Sequence, residues 1–192
     1  MKKQFKSLIA LAVAVTLGLG FSSCKNNDEP EPKPTEKTYV FNNAIAFSTS
    51  LLDVCDITLE YTALDGLTET KDVKNLDIKK MTYGEKEYTM YVFDVQTTTK
   101  TIPAETAVTI KYTLKSNLPE EGNFDCIIIP NFYCGVPSSS GSGWSALASK
   151  TTALYSTGAP YNKAASLVER INKSFGKYTL SFDKDGSPSA AN

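Results

Sequence analysis

Residues 107–115 alternate without a fault. Val108, Ile110, Tyr112 and Leu114 fall to one side, and Thr109, Lys111, Thr113 and Lys115 to the other. Only an extended chain separates neighbours onto opposite faces, so this period of two predicts a half-buried strand. Residues 55–63 repeat the pattern, with Ile57, Leu59, Tyr61 and Ala63 opposite Thr58, Glu60 and Thr62. Two further runs are apolar on both sides. In 87–96, Tyr88, Met90 and Val92 face one way and Tyr91, Phe93 and Val95 the other; in 124–132, residues 126–129 are apolar throughout. Strands of that kind sit in the interior of a sheet.

Weaker signals complete the set. Residues 39–41 and 44–47 predict a first strand interrupted by Asn42 and Asn43, and 78–83 predict a short strand closed by Gly84. Asp65-Gly66 is a turn, with 68–73 as a polar hairpin partner and therefore an edge. Residues 119–123 make another turn, and 178–183 a last strand with Tyr178, Leu180 and Phe182 inward. About seven short strands predict a mainly β chain, an antiparallel β-sandwich immunoglobulin-like or transthyretin-like in outline. The alternative is an α+β sheet with a helix packed across it.

The pattern changes after Cys134. Residues 136–145 are rich in Ser and Gly around a lone Trp144 and read as a loop. Residues 145–154 could form a short helix. From Pro160, Tyr161, Ala164 or Ala165, Val168, Ile171 and Phe175 recur at helical spacing, and Gly176 stands just past the end. Lys163, Glu169, Arg170 and Lys173 fall on the outer face of that helix. Residues 187–192 read as a loose tail.

The N-terminus carries a different message. Lys2, Lys3 and Lys6 precede an apolar run of about 14 residues, shorter than the roughly 20 a spanning helix needs. Ser22, Ser23 and Cys24 follow. A basic start, a short apolar core and small residues form an export signal. With its cysteine, the stretch resembles the bacterial lipoprotein signal, in which that cysteine is lipidated and becomes the new N-terminus. Phe21 stands where Leu is most usual. Lys25 to Glu29, then Pro30, Pro32 and Pro34, resemble the acidic, proline-spaced start of Bacteroidota lipoproteins. The resemblance implies a signal peptide at 1–23 and acyl chains on Cys24. The membrane partner is the cell outer membrane, on its periplasmic or surface side. Residues 24–37 would be a stiff tether at about 3.1 Å per residue, 38–186 one β-rich domain, and 187–192 the tail.

Composition narrows the function. The chain has 20 basic and 21 acidic side chains. Loss of Lys2, Lys3 and Lys6 with the leader leaves 17 against 21, a net charge of −4 with no basic cluster. Nucleic acid is therefore not an expected partner. Histidine is absent, which removes Ser-His-Asp and Cys-His catalysis and His-ligated zinc. Cys55, Cys126 and Cys134 have no paired metal-ligand spacing, so neither metal nor cofactor is expected. In an exported chain two of them could bridge. Cys126 and Cys134 would lie roughly 26 Å apart on an extended chain, so Cys55 with Cys126 or Cys134 is the expected pair, unless Pro130 bends the chain between them; three reduced thiols are the alternative.

No catalytic set stands out. Ser174 and Lys177 match Ser-x-x-Lys, but Gly176 ends the helix between them. Asp183, Asp185 and Gly186 begin like a calcium loop and lack its later ligands. Glu120 with Glu121, and Asp53 with Asp56, are the nearest acidic pairs for carboxylate hydrolysis. Trp144, with Tyr133 and Tyr155, is the candidate ligand platform. The expectation is a non-enzymatic, lipid-anchored envelope module binding a glycan or a protein. A structural subunit of an envelope complex and a carboxylate-dependent hydrolase are the alternatives.

Overall fold

The computed structural model describes residues 36–83 and 85–192. The expected signal peptide, Cys24 and the expected tether as far as residue 35 lie outside the described residues. Residues 36–192 form one unit built of two antiparallel sheets and one late helix.

In chain order the strands are β1 (Tyr39–Ser48), β2 (Cys55–Thr62), β3 (Thr68–Asp72), β4 (Asp77–Tyr83), β5 (Lys86–Thr99), β6 (Ala104–Leu114), β7 (Asn123–Pro137), β8 (Trp144–Lys150), β9 (Leu154–Pro160), β10 (Lys177–Phe182) and β11 (Pro188–Ala191). A four-residue helix, α1 (Leu51–Val54), joins β1 to β2, and α2 (Ala164–Phe175) precedes β10. The first sheet runs β4-β5-β1-β7-β8, with β9 also on β7; the second runs β11-β10-β6-β2-β3. The core lies between them. Phe41, Phe47, Phe132 and Phe182 are wholly buried there, and Phe132 stacks on Tyr178 with ring centres 4.0 Å apart.

The long alternating runs become β2, β5, β6 and β10 as their periodicity requires, and β3 is the polar edge. Elsewhere the ladder overrides the local signal. Asn42 and Asn43 do not interrupt β1, because β5 and β7 pair it on both sides. Asn42 Nδ2 donates to the Asn131 carbonyl (2.7 Å). Asn43 lies in the core and its Oδ1 accepts the Thr106 hydroxyl from the other sheet (3.1 Å). Pro130 does not bend the chain either. On the side away from β1, β9 pairs β7 only as far as Ile128 and β8 only from Phe132. Pro130 falls in that gap, where a missing N–H costs the ladder nothing.

The stretch after Cys134 departs most from expectation. The expected loop over 136–145 is a loop from 138 to 143, shortened at its ends by β7 and β8, and the expected helix over 145–154 is instead β8 and the start of β9. Both strands serve the far side of β7, which otherwise would bury unpaired backbone groups. The tail is not loose, since β11 pairs with β10 from Pro188 to Ala191. The helix appears where its spacing put it, with Ala164, Leu167, Val168 and Ile171 buried. It closes the edge of β6 beyond the start of β10. Asn172 Oδ1 accepts the Tyr112 N–H (3.1 Å) and its Nδ2 donates to the Tyr112 carbonyl (2.8 Å), as a neighbouring strand would.

Candidate functional site

The two sheets differ on their outward sides. On the second sheet, Asp56, Thr58, Glu60, Thr109, Lys111 and Thr113 are exposed, the ordinary polar face of a half-buried sheet. On the first, the buried Ala46, Met90 and Ile127 form a second apolar cluster, and the half-buried Met81, Tyr88, Val92, Ile129 and Tyr155 pack around them and carry its exposed part. Strand register gathers them: Met81 lies opposite Tyr88, Val92 opposite Ala46, Ala46 opposite Ile129, and Ile127 opposite Tyr155. Residues directly opposite in an antiparallel pair share a face. This cluster is the side of β5 and β7 that the two-faced apolar runs had to put somewhere. Those runs signalled it in the sequence: β5 and β7 are interior strands of the sheet, as expected, and their second apolar side lies on its outward face.

The platform residues fall on the same face. Tyr133 shares the parity of Ile127 along β7, and Trp144 stands opposite Pro137 at the hairpin. Neither belongs to the core. The Tyr133 hydroxyl accepts Gln96 Nε2 from β5 (3.2 Å). At about 3.3 Å per residue, Tyr155 stands roughly 20 Å from Tyr133 and roughly 33 Å from Trp144. The three make a file along β7 and not one cluster.

The cysteines are three buried free thiols, and the expected bridge from Cys55 to Cys126 or Cys134 is not formed. β7 stays extended through both Cys126 and Cys134, which holds those two apart. Burial pushes the Cys55 thiol up to about 12, with the neighbouring Cys126 adding to the shift. Burial also raises Cys126 to about 12, against a small opposing pull from Arg170. Cys134 faces the carbonyls of Ser181 and Ser189. Its thiol is raised by burial. All three are neutral thiols at physiological pH, poor nucleophiles and poor ligands.

The acids stand apart. Glu120 and Glu121 are in the loop before β7, Asp53 is on α1, and Asp56 is on the outer face of β2 with Lys115 Nζ at 4.0 Å. Asp183 Oδ1 accepts the N–H groups of Asp185 and Ser187 (2.9 and 2.8 Å), a closed turn whose oxygen is already used. Those hydrogen bonds hold its carboxyl below the usual range. Ser174 lies on the last turn of α2 and Lys177 opens β10. Among the described residues no group of three or more acids or cysteines could hold a metal ion, and no helix is long and apolar enough to cross a membrane.

No family model, curated protein or solved structure matches the chain.

Proposed function

We propose that the chain is a lipid-anchored binding module of the cell envelope. Acyl chains on Cys24 moor it to the outer membrane, and the outer face of the first sheet engages a protein partner without catalysis. One observation carries the reading: the first sheet is apolar on both faces, and only one of them meets the second sheet. An apolar face rich in Met and Tyr is the composition of a protein-binding patch. A permanent subunit of an envelope complex would use the same face with a partner that never leaves. The file of Tyr155, Tyr133 and Trp144 favours a second reading, a glycan lying along β7 against aromatic rings.

The test has two arms, run in cells that export the full chain. Replacing both Tyr88 and Ile129 by Glu is expected to abolish in-cell cross-linking to a discrete partner while the melting temperature stays within a few degrees. Unchanged cross-linking would remove the face from the proposal. Cys24→Ser is expected to move the protein from the membrane fraction to the soluble one; continued sedimentation with membranes would end the anchor.

A further inference from the structure

A second surface stands apart from that face. An open cleft of about 460 Å³ lies between β9 and α2. Ser156, Ala159 and Pro160 line it from the strand side, and Lys163, Ser166, Leu167 and Arg170 from the helix side. Positions 163, 166, 167 and 170 recur at three and four residues, so one face of the helix and its leading turn presents them together. No acid lines the cleft.

Its two cations belong to the eight of fifteen described cations that stand without an ion pair, and they are the two that line this cleft. Lys71, Lys74, Lys80, Lys100, Lys115, Lys173 and Lys184 each stand against a carboxylate. Glu169, the acid nearest Arg170 along the helix, is taken by Lys173 at 2.8 Å. Lys163 and Arg170 make no ion pair among the described residues. Arg170 is exposed at the rim of the cleft, beside the buried Leu167. In a chain of net negative charge, two uncompensated cations over one cleft are a local positive focus.

The chemistry around them selects the ligand. A guanidinium takes a carboxylate or sulfate through two parallel hydrogen bonds. Ser156 and Ser166 stand on opposite walls; the Ser166 hydroxyl donates to the Lys163 carbonyl (3.0 Å), which leaves its oxygen to accept from a sugar hydroxyl. Ala159, Pro160 and Leu167 supply a small apolar floor for the C–H face of a sugar ring. No aromatic side chain lines the cleft to stack a base. Two cations are also fewer than the four to eight that mark an anionic membrane surface. We propose that this cleft binds an acidic polysaccharide, with Arg170 on the carboxylate or sulfate and Lys163 beside it. The proposal is independent of the anchor at Cys24 and of the outer face of the first sheet.

Affinity electrophoresis of the purified chain through gels containing polygalacturonate tests it, with neutral dextran gels as the reference. The chain is expected to be retarded by polygalacturonate alone, and less so as salt is raised. Replacing both Lys163 and Arg170 by Ala is expected to weaken binding about tenfold or more, the scale of a lost charge-assisted contact. The paired control, Lys79→Ala with Lys80→Ala on β4, is expected to bind as the parent does. Arg170→Gln, which keeps the length and most of the packing of the side chain, replaces the double variant if that one melts early. Absence of retardation, equal loss in the β4 control, or full binding by the cleft variants would each overturn the proposal. So would capture by phosphatidylglycerol vesicles with none by polygalacturonate.

Discussion

At the scale of single residues, Gly135 shows how a neighbour can dictate an identity. Its backbone is ordinary strand, but β8 bulges against it, and a β-carbon there would run into the Ser145 carbonyl. The carbonyl is main chain and a β-carbon is fixed by the geometry of its Cα, so neither can swing aside. Gly135→Ala is expected to cost about 1–3 kcal/mol, the range for overpacking a tight site, read as a fall in melting temperature. An unchanged melting temperature would mean that β8 shifts at no cost. In the sequence, Gly135 falls beyond the strand expected over 124–132, because nothing local to Cys134-Gly135-Val136 announces a neighbouring chain. Asn43 was misread for the same reason. Its acceptor is used by Thr106, 63 positions away, and no spacing rule reaches that far.

At the scale of elements, α2 does two jobs. Its apolar stripe of Ala164, Leu167, Val168 and Ile171 fills the core; helical spacing picks out Val168 and Ile171, while Leu167 and the choice of Ala164 over Ala165 come from the packing. Its second job was not legible. Asn172 serves both backbone groups of Tyr112 at the edge of β6, beyond where β10 begins. Asn172→Ala would leave a strand N–H and a carbonyl without their partner, and is expected to cost about 2 kcal/mol in chemical denaturation. A loss of only a few tenths would show that water satisfies that edge. β8 and β9 make the complementary point. Their small residues carry no strong period, and the open side of β7 recruits them into the sheet.

At the scale of the whole molecule, the sandwich buries acids of a weak kind. Cys55 and Cys126 are raised from 9.0 to about 12. Tyr112 and Tyr178 are likewise raised above the usual tyrosine value, with burial the largest cause for each. An unfolded chain releases the two thiol protons near pH 9 while the folded one keeps them. Stability from this source is therefore complete below about pH 9 and is lost as pH rises from 9 towards 12. Under reducing conditions the melting temperature is expected to stay level from pH 7 to 9 and then to fall steeply. A level profile to pH 11 would contradict the burial of these groups.

The sequence by itself determined which residues alternate, where the late helix lies, and that β5 and β7 are apolar on both sides. Each is written in the spacing of neighbouring side chains, which local backbone geometry converts directly into faces. Only the tertiary structure decided that β1 runs through Asn42 and Asn43, that β7 runs through Pro130, and which apolar side of the first sheet meets the second. Those outcomes depend on hydrogen-bond ladders between segments far apart in the chain. A backbone group that must find a partner takes it from whichever strand the fold brings alongside.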